Sequence, residues 1–309
     1  MRFVYFGSSQ FSKIILEELY SQSYVPVLIV SRPDQPKGRG LKLSATEVSQ
    51  FAQDKKIQLI KPASLKGEAV KEILYKEDAD FFIVVDYGEI IPESLLNLPK
   101  VLPLCIHPSL LPRYRGAAPI EETLINGEQE SGVTIFKMNR EVDAGDIILQ
   151  QTLAVNYDDD FFSLSKRLAK NGVLLLIQAI NKINNNTYSL RPQDDKLVTL
   201  TSKLKKEDGR IAWESRAQDI RNLTRATLGW PSAYSYYQDL MFKILKGDVI
   251  DQDSIDPPGT IVAITKEGIS VACGKGVLQI KKVKPQGKSE MDAWSFACGY
   301  RIKNGERLK

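Results

Sequence analysis

His107 is the only histidine among 309 residues, and it lies in PLCIHPSLLPRYRGAAPIEE, residues 103–122. A lone imidazole is more often structural than catalytic, so its surroundings decide. Cys105 and His107 are two residues apart, so in an extended strand their side chains share one side. The loop that follows carries three prolines and a glycine around Arg113 and Arg115. Such a stiff loop offers two guanidiniums and free backbone N–H groups to an anionic or amide-rich ligand. Further on, EVDAGDII places Asp143 and Asp146 in a glycine-containing turn. Carboxylates there commonly bond the local backbone, but a carboxylate that orients an imidazole is the usual partner of a catalytic histidine. Together these residues make a proton-transfer site without a metal or a covalent nucleophile.

The elements that must hold these residues alternate along the first half. RFVYFG, VPVLIVS, ADFFIVVDYG and VLPLCIHP are apolar runs of strand length. FSKIILEELYSQ, TEVSQFAQDKK and GEAVKEILYKE between them have helical spacing. Repeated strand–helix units of this kind predict a doubly wound, mostly parallel sheet. In such sheets, sites collect at the carboxyl ends of strands, which is where His107 falls. Pro119 takes a first-turn position in the helix that follows the loop. From Gly132 the pattern changes to two strands around REVDAG, then a long helix, FFSLSKRLAKNGVLLLIQAINKI. NNNTYSLRPQDDK is polar and irregular, the expected exit from a first domain. After one more helix, WESRAQDIRNLTRAT, short strands with glycine turns predict a small barrel or sandwich. The expected organisation is residues 1–190, a linker over 191–206, and a second domain over 207–309.

Composition narrows the class. The hydrophobic share of 43% and charged share of 26% suit a globular chain with a sizeable core. No apolar run reaches the ~20 residues of a membrane span. The opening MRFVYFGSSQF has no long apolar core or cleavage site, so no signal peptide is expected. Cys105, Cys273 and Cys298 are odd in number and widely spaced, with neither disulfide nor zinc spacing, so the cytoplasm is the expected compartment. FGSSQF has a single glycine, which argues against the GxGxxG loop of a dehydrogenase. From residue 201 onward 19 Lys and Arg face 13 Asp and Glu; the first 200 residues hold 23 against 25. A basic final third suits a polyanion such as RNA or is a solvated lysine-rich surface. Lys37, Arg39 and Lys42 in SRPDQPKGRGLKLSA likewise suit a phosphate backbone or an ordinary surface loop.

The motifs FGSSQF, RPDQPKGRGLKL, HPSLLPRYRGAAPI, SGVTIFKMNREVDAGDII, KEDGRIAW and WPSAY run in this order across nearly the whole chain. The set resembles the methionyl-tRNA formyltransferases among the 10-formyltetrahydrofolate-dependent enzymes. SLLPRYRG alone is shared with sugar N-formyltransferases. The resemblance implies a Rossmann-like domain followed by a small OB-like β-barrel. It also implies formyl transfer from 10-formyltetrahydrofolate to initiator methionyl-tRNA, by a monomer that uses no metal and no membrane. Carried over, His107 stabilises the oxyanion or shuttles the proton, and Asp143 orients it. Ser109, Leu110, Leu111 and Pro112, with Tyr87 and Gly88, fall on folate-contacting segments. Lys37, Arg39 and Lys42 fall on a loop that reaches toward the acceptor stem.

Cys105 stands where the family has Asn, and a thiol donates only weakly. Losing one oxyanion donor costs roughly 2.7–4 kcal/mol. The chain is then a slow enzyme, a site rebuilt around another donor, a folate- or tRNA-binding protein with little turnover, or, least in keeping, a thiolate catalyst. Asp86 and Glu89 also make the Tyr87–Gly88 segment more acidic than the family's. An amino-sugar N-formyltransferase is the alternative within the same chemistry.

Overall fold

The computed structural model describes residues 1–37 and 42–309. In chain order the first elements are β1 (Phe3–Gly7), α1 (Gln10–Ser21), β2 (Leu28–Val30), β3 (Gln35–Lys37), β4 (Lys42–Ser44), α2 (Glu47–Asp54), β5 (Leu59–Ile60), α3 (Glu68–Lys76), β6 (Phe81–Val85) and α4 (Glu93–Leu96). There follow β7 (Leu102–His107), β8 (Arg115–Gly116), α5 (Pro119–Ile125), β9 (Glu130–Lys137), β10 (Ile147–Ala154), α6 (Phe161–Asn184) and β11 (Leu200–Thr201). The last are α7 (Ala217–Ala226), β12 (Tyr234–Tyr237), β13 (Leu240–Ile250), β14 (Ile261–Thr265), β15 (Gly268–Ala272), β16 (Val277–Pro285), β17 (Met291–Asp292) and α8 (Ala293–Tyr300).

The chain divides into two compact units. One comprises residues 1–119, 130–154 and 165–202, and the other 120–129, 155–164 and 203–309. The first is built on a seven-stranded sheet in the order β10-β9-β7-β6-β1-β2-β5. β1 pairs in parallel with β2 and β6, and β7 with β6, whereas β9 and β10 run antiparallel. The expected mostly parallel sheet is therefore present. Every residue of β1, β6 and β7 is buried, because apolar runs such as FFIVV are covered on both faces. From β1 the chain builds outward through β2 and β5, then returns to add β6 and β7 on the opposite side. The strand order reverses between β1 and β6, and a crevice at such a switch point is where open α/β sheets bind ligands. The β1–α1 turn is tight: Ser9 caps α1 by accepting from the Ser12 amide at 3.1 Å, and a side chain at Gly7 would collide with the Ser12 hydroxyl.

The second unit holds an antiparallel sheet in the order β12-β13-β16-β15-β14, with β17 beside β16. Residues 305–309 join its two edges. The Lys309 amide donates to Tyr236 O at 2.9 Å, the Leu308 amide to Gly259 O at 2.9 Å, and Ile261 N to Glu306 O at 2.8 Å. This closure makes the sheet a barrel, which removes exposed edges. Phe296 of α8 is fully buried in its core, with its ring 4.9 Å from Phe242 and 5.0 Å from Tyr300. No described helix is long and apolar enough to cross a membrane.

Candidate active site

β7 ends on His107, which is only 5% exposed. Its Nε2 lies 2.9 Å from the carbonyl oxygen of Tyr114. A carbonyl can only accept, so this contact puts a proton on Nε2. The other nitrogen, Nδ1, faces Asp143 Oδ2 at 3.6 Å. That is too long for a hydrogen bond, so the carboxylate faces the ring edge without bonding it. The same Oδ2 accepts from the Gly116 amide at 2.8 Å. Asp143 itself adopts a left-handed φ of +51° in the turn between β9 and β10. The imidazole and carboxylate inferred from sequence are thus brought together, 36 residues apart in the chain. Asp146 contributes its backbone carbonyl to the Lys137 amide, closing the same turn.

The loop after β7 is fastened largely by side chains. Ser109 Oγ donates to Arg113 O at 2.7 Å, and Thr134 Oγ1 donates to Ser109 O at 2.7 Å. Gln150 Nε2 donates to Leu111 O at 2.6 Å. Leu110 packs on Gly132, where any larger residue would collide with it, and Pro112 is half-buried after a cis peptide bond. Arg115, expected to await an anion, is instead buried; its Nε donates to Gln193 Oε1 at 2.9 Å. Arg113 is exposed, with its guanidinium 5.1 Å from the Tyr114 ring centre.

Cys105 is 6% exposed and packs with Leu111, Phe136 and Ile147. Burial pushes its thiol well above the ordinary value, and the negative charges of Asp143 and Asp86 push the same way. The sulfur is therefore a neutral, apolar neighbour of the site and not a thiolate.

At the end of β6, Asp86 is exposed at φ +41° and Gly88 turns at φ +84°. Tyr87 is buried, its ring edge-on to Phe6 at 5.7 Å. Burial pushes its phenol upward, reinforced by the charge of Glu89 and opposed by that of Arg32. Among the described residues, the buried Tyr87 hydroxyl and Arg32 Nε find no hydrogen-bond partner. The backbone of Lys37 sits opposite that of Lys42 in the β3–β4 hairpin, while Arg39 lies outside the described residues. Among the described residues no group of three or more His, Cys, Asp or Glu could hold a metal.

Residues 1–180 match the formyl transferase family, and residues 203–301 match the formyl transferase C-terminal domain. A methionyl-tRNA formyltransferase of Caldanaerobacter subterraneus is 35% identical over the full length of both chains. One of Dictyoglomus thermophilum is 38% identical, also over both full lengths. The chain belongs to the methionyl-tRNA formyltransferase family. The fold is also that of an N-formyltransferase of Helicobacter canadensis solved with folinic acid and dTDP-3-aminofucose. That likeness has a TM-score of 0.66 at 19% identity, covering 91% of this chain and 99% of the other.

Several residues that build the site were not singled out from sequence: Tyr114, Thr134, Gln150, Gln193 and Thr199. The Tyr114 amide donates to Thr199 Oγ1 at 2.7 Å, and the Arg115 amide to Thr199 O at 2.9 Å. β11 then pairs in parallel with β8. Gln193 and Thr199 lie in a polar stretch where backbone pairing needs no apolar pattern, whereas Thr134 and Gln150 are polar residues within the strands β9 and β10. Gly116 had a clearer signal, since its φ of +121° and the Thr201 carbonyl beside it exclude any side chain.

Proposed function

We propose that this chain transfers the formyl group of 10-formyltetrahydrofolate to the amino group of initiator methionyl-tRNA, as a cytoplasmic monomer. The observation that carries the reading is His107 held between a carbonyl on Nε2 and a carboxylate facing Nδ1. It stands at the carboxyl end of β7, one strand beyond the strand-order reversal between β1 and β6. The crevice fits a folate: the Tyr87 hydroxyl and Arg32 Nε, without partners among the described residues, leave polar atoms to be satisfied. At Gly88 an added Cβ would stand 3.1 Å from Arg32 Cζ, so glycine lets the Arg32 guanidinium pack close against the backbone there. Tyr87, Gly88 and the Ser109–Pro112 loop would hold this co-substrate, which supplies an acyl carbon bonded to a nitrogen leaving group.

The attacking amine must shed a proton as its new bond forms. Nδ1 of His107 accepts it, because Nε2–H stays on Tyr114 O. The imidazolium then lies between an acceptor and the Asp143 carboxylate, which stabilises it until the proton passes to the departing nitrogen. The same Nδ1–H can stabilise the tetrahedral oxyanion. Neutral Cys105 packs beside these groups and forms no bond.

The basic residues from 207 onward and the Lys37, Arg39 and Lys42 segment would hold the RNA, with residues 1–190 carrying the chemistry. Replacing those three by Ala weakens methionyl-tRNA use, most at raised salt, and leaves folate binding intact. Equal loss of both substrates would mean the segment is structural. The amino-sugar alternative is tested by offering methionyl-tRNA and a nucleotide-linked amino sugar side by side with 10-formyltetrahydrofolate. Formylation of the tRNA alone is expected; formylation of the sugar alone overturns the proposal.

A further inference from the structure

Gln193 lies 50 residues beyond Asp143, in a polar stretch outside the formyl transferase match over residues 1–180. Both N–H donors and the carbonyl oxygen of its side chain are engaged. Nε2 donates to the carbonyl oxygens of Asp143 and Gly145, each at 2.8 Å. Oε1 accepts from Arg115 Nε at 2.9 Å. One amide therefore ties the turn that carries the Asp143 carboxylate to the loop that carries Tyr114 and Gly116. Those two segments contact opposite nitrogens of His107.

The turn needs such a tie. Asp143 is a non-glycine residue at φ +51°, a conformation that costs energy unless its surroundings enforce it. Gly145 is pressed so closely on the Lys137 carbonyl that no side chain fits there. Asp143 Oδ2 is held from the other side by the Gly116 amide. Gln193 is itself fixed, since Arg191 exchanges backbone hydrogen bonds with Ile147 at 2.8 and 2.9 Å, and Thr199 holds Tyr114 and Arg115.

We propose that Gln193 is a positioning residue for proton transfer: its amide sets where the Asp143 carboxylate stands relative to His107 Nδ1. The inference rests on the proton-transfer reading of the site and assigns its alignment to a residue far away in sequence.

The amide itself is what matters, so Gln193→Glu is the discriminating variant. It keeps the size and pairs more strongly with Arg115, but it has no N–H for the two carbonyls and repels both. Gln193→Ala removes all three bonds. Misplacement of a reacting group by about 1 Å can cost about 10²-fold in rate. Both variants should therefore lose about 10- to 100-fold in kcat. KM for folate and tRNA should hold, the pH–rate profile should change shape, and Glu should be no better than Ala. As the chain has one histidine, the His107 ring resonance reports alignment without any substrate. It should move in both variants while each still melts well above the assay temperature, although the lost bonds also cost some stability. A resonance that moves in the variants, while the wild-type protein formylates nothing, would keep the positioning role and sink the functional reading. The inference is overturned if kcat and the resonance stay as in wild type. It is equally overturned if Glu restores both, or if KM rises and the fold is lost in step with the fall in kcat.

Discussion

Cys105→Ala removes one sulfur from an apolar cluster formed with Leu111, Phe136 and Ile147. The lost burial is about 0.8 kcal/mol for an atom of methylene size, plus a cavity contribution that brings it to roughly 1–1.5 kcal/mol. In a domain of this length that lowers the melting temperature by about 2–4 °C per kcal/mol. Catalysis should hardly change, because the thiol is neutral, buried and without a place in the proton path. Cys105→Asn is the harsher change. Its larger amide must enter the same cluster and go without partners, at about 1–3 kcal/mol. Thermal melts paired with single-turnover formylation measure both quantities. Alkylation at neutral pH should modify exposed Cys298 long before Cys105. A fall in kcat of about 10² or more in Cys105→Ala, with the melt shifted only slightly, would refute the reasoning and restore a chemical role for the sulfur.

Asp143→Asn keeps an oxygen for the Gly116 amide but loses the charge beside Nδ1, so kcat should fall by about 10²–10⁴ with the fold retained; an unchanged kcat would remove Asp143 from the mechanism. Phe296→Ala should destabilise the barrel by about 3–5 kcal/mol in urea titrations, because two ring contacts and a fully buried side chain are lost. A cost under about 1 kcal/mol would mean α8 is not part of that core. Burial lifts the Cys273 thiol from its ordinary 9.0 to about 11. Its ionisation is easier in the unfolded chain, so stability present below pH 9 drains away as pH rises toward 11. Cys273→Ala should flatten that alkaline loss, and an unchanged slope would show that other groups govern it.

The sheet was legible because β1, β6 and β7 are unbroken apolar runs, and such runs have few alternatives to a doubly covered strand. The helices between them announced themselves by period. α8 did not, since AWSFACGY is short and apolar on most sides, and its start is signalled only by Asp292 accepting from the Ser295 amide at 2.7 Å. Barrel closure by residues 305–309 was equally silent, because it is made by backbone atoms. In the site, His107 and Asp143 could be inferred from residue type and from resemblance. What could not be inferred was that Arg115 is already bonded to Gln193, or that Tyr114 O fixes the imidazole. Both depend on contacts between segments whose spacing carries no pattern.

The central claim is that His107, set between Tyr114 and Asp143, moves the proton that formyl transfer requires. The most direct measurement is the single-turnover rate of methionyl-tRNA formylation from 10-formyltetrahydrofolate by the wild-type chain and by His107→Ala. Transfer by the wild-type chain, with a fall of about 10²-fold or more in the variant at unchanged melting temperature, is the predicted result. Near-normal transfer by His107→Ala, or none by the wild-type chain, would contradict it.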